Sequence, residues 1–194
     1  MNDNTITGTK GGTPERKQRG RHTASTLSMG LLGRKPFILR IDTFITPGLP
    51  YLALIGLPDT LLSTMREHVK SACVASGFEW PETRVTVNLT PCTLPKQNSL
   101  CSLAIAASIL TAGEASPRNR LVDTVILGDV NADGTIPPIE SDPTMLVDHA
   151  RRQGVTRIII PEANLAGTGM PAGIGVIGVR HVGEITEKTD RTGN

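Results

Sequence analysis

The stretch from Leu100 to Ala112 carries no charged side chain, and its only hydroxyl groups are those of Ser102, Ser108 and Thr111. Read with a helical period it is apolar nearly all round, so a helix here has no face to offer to water. Such a helix must be packed on every side, and the rest of the chain has to supply the layers around it. Ser99 stands where it can cap this helix, which the pattern carries through to Ala112.

The flanking pattern supplies those layers. Period-two alternation marks strands at Leu27–Leu32, Phe37–Ile45 and Tyr51–Ile55, and further strands read at Arg84–Leu89, Val122–Leu127, Arg157–Ile160 and Ile174–Val179. Pro58-Asp59 opens a helix in which Leu61, Leu62, Met65, Val69 and Ala72 share one face, and Gly77 stops it. Asp142-Pro143 has the form of an N-cap and first turn, with Gly154 at the far end. A short helix follows His181. Strands first and then alternating helix and strand predict a two-layer, mixed-sheet α/β (α+β) domain.

At 194 residues the chain is long enough for one domain, expected over 24–188. Residues 1–23 are rich in Gly, Thr, Asn and charge and poor in large apolar groups, so they read as a disordered basic tail, and 189–194 as a shorter one. The net charge of +2 conceals an asymmetry, with +5 in residues 1–35 and −3 in the remainder. Arg16, Lys17, Arg19 and Arg21 form the basic cluster, a candidate contact for nucleic-acid phosphates. No apolar run approaches the ~20 residues of a membrane helix, and no hydrophobic signal core opens the chain, so the expected setting is the cytoplasm, away from membranes. Cys73, Cys92 and Cys101 lie 19 and 9 residues apart, which is neither a zinc spacing nor a disulfide framework, and they read as buried thiols.

Asp129-Val130-Asn131-Ala132-Asp133-Gly134, with Glu140 five residues further on, satisfies the spacing of an EF-hand calcium loop. The context argues otherwise. A strand precedes it where a helix is needed, and Pro137-Pro138 removes donors where the second helix should begin. The expected reading of Asp129, Asn131, Asp133 and Glu140 is a hairpin with Asp133-Gly134 at its turn, and no metal. Gly173–Gly178 formally matches a dinucleotide fingerprint, but it is itself the strand, so its glycines read as close-packing positions and no cofactor is expected.

Gly48-Leu49-Pro50, Gly56-Leu57-Pro58-Asp59, Ser76-Gly77, Val87-Asn88-Leu89-Thr90-Pro91 and Lys96-Gln97-Asn98-Ser99 occur in an order and spacing that resemble the N-terminal domain of the ComM and magnesium-chelatase-like (ChlI-type) AAA+ ATPases. The likeness runs from about Ala24 to Glu187. It implies a fold like the proteolytic domain of Lon, a protease that uses a serine–lysine dyad in which a buried neutral lysine deprotonates the serine. On that resemblance the nucleophile position falls on Leu100, with Ser99 one position and Ser102 two positions away. Between Lys96 and Lys188 there is no lysine to serve as base. Lys96 and Ser99 match the family's K-x-GS helix start, which implies a weak anion or phosphate site, against the plainer reading of a solvated lysine and a capping serine. Asn98 replaces the family's glycine there and Ser102 its aspartate.

The relatives continue into an ATPase module, but no G-x-x-x-x-G-K-[ST] phosphate loop occurs in this sequence. The expectation is therefore a catalytically silent accessory domain, either free-standing or a fragment, that works with an AAA+ ATPase module or subunit in DNA processing or natural transformation. A stand-alone nucleic-acid-binding protein using the basic tail and a cryptic Lon-like peptidase are the alternatives.

Overall fold

A computed structural model describes residues 22–92, 100–113, 121, 123–167 and 172–191. The strands are β1 (His22–Leu32), β2 (Lys35–Thr46), β3 (Tyr51–Ile55), β4 (Arg84–Thr90), β5 (Thr124–Ile126), β6 (Arg157–Pro161) and β7 (Gly175–Val179). The helices are α1 (Asp59–Ala75), α2 (Ser102–Ala112), α3 (Pro143–Arg152) and α4 (Glu184–Arg191), with a 3-10 turn at Glu162–Gly167. His22 and Thr23, assigned to the tail by composition, are the first residues of β1, and α4 runs past residue 188.

The strands form one seven-stranded mixed sheet in the order β3-β4-β2-β1-β5-β6-β7. β1 and β2 make an antiparallel hairpin from His22↔Ile45 to Leu32↔Lys35. β4 lies antiparallel to β2 and parallel to β3. β5, β6 and β7 add to β1 in parallel, as strands linked through helices do.

Every one of the eleven residues of α2 is buried. It packs with α1 against Leu39, Ile41, Val85, Val87 and Leu89 on one face of the sheet. Two hydroxyl contacts fix it there, Ser108 to Thr43 Oγ1 at 2.7 Å and Thr26 to the Ala104 carbonyl at 3.1 Å. These satisfy buried polar groups that would otherwise be costly. Alternate residues of β5 and β6 face opposite ways. Ile126 and Ile159 join the α2 side, while Val125, Ile158 and Ile160 join Leu146, Val147 and Ala150 of α3. The expected two layers hold over β3, β4 and most of β2, and α3 adds a layer on the other side over β1, β5 and β6.

Local signals explain the helix ends. Ser76 and Gly77 close α1, with Gly77 N–H donating to Val74 O and Phe78 N–H to Cys73 O, and Gly77 sits at φ +82°. The Asp142 carboxylate accepts from Thr144 N–H at 2.9 Å with Pro143 at the first helical position.

Candidate functional site

α2 begins at Ser102, with Cys101 as N-cap and no side-chain cap of its own. This corrects the expected start at Ser99. The cause is backbone pairing: Leu100 N–H donates to Met29 O at 3.3 Å, and Gly128 N–H donates to Leu100 O at 3.2 Å. Ser28 Oγ lies 2.8 Å from both the Leu100 and Ile126 carbonyls. Leu100 is thus held between β1 and the segment after β5 and cannot turn into the helix. Its side chain packs against the α3-side core.

The helix start is capped across the fold. Ser102 Oγ donates to Asp129 Oδ1 at 2.9 Å and accepts from Val130 N–H at 2.9 Å. The peptide N–H of Ser102 also bonds the Asp129 carboxyl, which is the service an N-cap carboxylate gives. Leu103 N–H donates to Gly128 O at 3.1 Å. Asp129 keeps an exposed edge, yet the protein packed around its carboxyl raises its pKa above the ordinary value, while the Ser102 hydroxyl and N–H and the nearby His68 pull it partly back. Ser102 itself is 4% exposed, and its hydroxyl is engaged as donor and acceptor at once.

After Asp129 the chain turns at Asp133-Gly134 as expected, but the expected hairpin does not form: no strands flank the turn, and Thr135 bridges instead to His181. Asn131 N–H donates to Thr135 O and Gly134 N–H to Asn131 O, both at 2.9 Å. Asp133 Oδ1 accepts from Thr135 N–H at 2.9 Å and from its hydroxyl at 2.6 Å, and these bonds hold its carboxyl below the ordinary range. Asn131 Nδ2 donates to Thr135 Oγ1 at 3.0 Å, and Glu140 is exposed. The loop's oxygens are therefore spread over separate partners, Asp129 toward α2 and Asp133 within its own turn. Among the described residues no three His, Cys, Asp or Glu side chains gather as a metal site would need.

Gly134 is required for two reasons. Its φ is +88°, and a Cβ there would stand 2.7 Å from the His181 ring and from Ser76 Oγ. His181 lies against the turn, with Nε2 3.1 Å from Asp133 O and Nδ1 3.4 Å from Ser76 Oγ. Ser76 donates to Ala72 O at 2.6 Å, so this grouping ties α1, the turn and the start of α4 together.

Lys188 Nζ donates to Gly178 O at 2.7 Å and pairs with Glu184 at 2.8 Å and Glu162 at 3.3 Å. The Glu184 bond leads in raising its pKa, so the ammonium holds its charge. Gly178 is one of the strand glycines read as close-packing positions. A Cβ there would meet Leu165 and come within 3.1 Å of Glu162 Cα.

Cys73 and Cys101 are buried, and burial pushes the Cys73 thiol up to about 12. Cys92 is exposed, against expectation, because it follows β4 at the rim of the sheet. Lys96, Ser99, Arg16, Lys17, Arg19 and Arg21 lie outside the described residues. Asp129 as the cap of α2 was not legible, since it lies 27 positions from Ser102 and a capping signal is read within a turn of the helix. Among the described residues no helix is long and apolar enough to cross a membrane.

The profile of the family described as subunit ChlI of Mg-chelatase matches residues 41–164. An uncharacterized protein of Mycobacterium tuberculosis is 37% identical over 159 residues, covering 81% of this chain and 31% of that protein. The uncharacterized protein YifB of Escherichia coli is 31% identical over 147 residues, 74% of this chain and 28% of YifB. The competence protein ComM of Haemophilus influenzae is 33% identical over 91 residues, 47% of this chain and 18% of ComM. The chain thus spans about a third or less of the length of these curated relatives.

Proposed function

The chain belongs to the family of the Mg-chelatase subunit ChlI, and on that premise we propose that it is a non-catalytic accessory domain that binds and regulates an AAA+ ATPase subunit in DNA processing. The observation that carries the reading is the environment of Leu100. In a Lon-like domain the nucleophile stands at the start of the helix that corresponds to α2. Here that position is a leucine whose backbone is bonded to β1 and whose half-buried side chain packs against the α3-side core.

Other groups support the same reading. The Ser102 hydroxyl is occupied on both sides, by Asp129 and by Val130 N–H. A serine–lysine dyad needs a neutral lysine, whereas Lys188 is kept charged by Glu184 and Glu162. The name of one relative, competence protein ComM, favours a setting in DNA uptake.

The test is the ATP turnover of a phosphate-loop ATPase of this family with and without the full chain. A saturable change in rate supports the reading. An unchanged rate, with no co-elution on gel filtration, sinks it.

The +5 charge of residues 1–35 favours a second reading, non-specific binding of DNA through Arg16, Lys17, Arg19 and Arg21. Affinity that falls steeply with salt and disappears when these four are changed together to Gln would favour it.

A further inference from the structure

A cleft of about 1450 Å³ opens where β1 begins and β2 ends. Residues 44–48, the 79–83 segment before β4, and Gly113 after α2 bound it. Trp80 and Pro81 are half-buried on its wall, Ile45 is half-buried beside them, and Phe44 is 43% exposed. Glu79 and Glu82 stand exposed at its edge, and among the described residues no lysine or arginine lines it. The Thr83 hydroxyl, on the same wall, is buried without a hydrogen-bond partner.

We propose that this cleft is the docking site for a basic segment of a partner protein chain. An apolar side chain would seat against Trp80 and Phe44, and flanking Lys or Arg groups would meet Glu79 and Glu82. Charge complementarity selects the occupant. Two carboxylates on an apolar wall, with His22 the one basic side chain among the described lining residues, repel phosphate and attract ammonium or guanidinium groups. The indole face adds to that attraction. The cleft exceeds the ~300–1,000 Å³ of small-molecule pockets and is open, which suits an extended stretch of polypeptide. The inference rests on the accessory-domain reading only in taking the occupant to be protein. That relatives of about three times this length carry the same domain agrees with a protein neighbour.

Trp80 is the only tryptophan in the chain, so its emission reports on the cleft directly. The experiment titrates the full chain with the capped hexapeptide Arg-Leu-Arg-Gly-Leu-Arg, with the same peptide bearing Glu in place of Arg, and with oligothymidylate. The expected result is a saturable shift of Trp80 emission with the basic peptide alone. The Glu79→Gln/Glu82→Gln variant should weaken it roughly three- to tenfold, and so should salt of about 0.5 M. Both glutamates are exposed, and a far-UV spectrum confirms that the variant is folded.

No saturable shift, a shift that the double variant leaves unchanged, or an equal response to oligothymidylate overturns the proposal. So does a change in the emission of the unliganded chain when Arg16, Lys17, Arg19 and Arg21 become Gln, because the chain's own segment would then be the occupant. Co-elution with an ATPase subunit combined with a silent Trp80 sinks the cleft while leaving the accessory reading in place.

Discussion

Ser102 Oγ stands 2.9 Å from Asp129 Oδ1, and Val130 N–H closes on the same hydroxyl oxygen at 2.9 Å. One side chain thereby ties the start of the central helix to the segment after β5. Replacing Ser102 with Ala leaves a buried N–H and a crowded carboxyl without their partner. The expected loss is about 1–3 kcal/mol, read by denaturant unfolding, because orphaned groups cost their desolvation. A loss under a few tenths of a kcal/mol would mean that the bond is incidental.

Asp129 also sets a pH signature. Its folded pKa lies above the ordinary value, with desolvation the leading cause. For an acid raised in this way the folded state holds the proton more tightly than the unfolded chain. The stability of the parent relative to Asp129→Asn should then rise as pH falls from neutral through the raised value. It should level off below the ordinary carboxylate pKa of about 3.9. A difference that moves the other way with pH would contradict the assignment.

Gly134→Ala should be among the most damaging single changes outside the core. It combines a left-handed backbone at φ +88° with a Cβ 2.7 Å from His181 and Ser76. Together these cost about 2–4 kcal/mol. Thermal unfolding followed by circular dichroism checks it, and a melting temperature within a degree of the parent would show that the turn relaxes freely.

Calorimetry with calcium should give no isotherm at micromolar concentrations, and Glu140→Gln should leave the trace unchanged. The motif's first carboxylate is engaged by Ser102 and its third ligand position by Thr135. Micromolar binding that Glu140→Gln abolishes would mean that the spacing prevails over its context.

The sequence was most readable where the cause of structure is local. Gly77 ended α1 and Asp142-Pro143 opened α3, because capping is written within a turn of the helix it closes. The charge-free run placed α2 at the centre, and all its residues are buried. The start of α2 was misread because its cap is Asp129, in a different part of the chain. β5 spans Thr124–Ile126, entered through Asp123 at φ +55° and ending before Leu127, while Val122 lies outside the described residues. The layer added by α3 depends on which way alternate residues of β5 and β6 face, and continuous apolar runs such as Ile158, Ile159 and Ile160 do not record that. The cleft brings together residues near positions 22, 45, 80 and 113, so no window of sequence contains it.

The central claim is that this domain acts by binding a protein, without chemistry of its own and without DNA. The most direct measurement is anisotropy of the labelled full chain at about 150 mM salt, titrated separately with a ChlI-type ATPase subunit and with duplex DNA. The account predicts saturable binding of the subunit, with DNA at least tenfold weaker. Tight DNA binding that survives this salt, beside no response to the subunit, would contradict it.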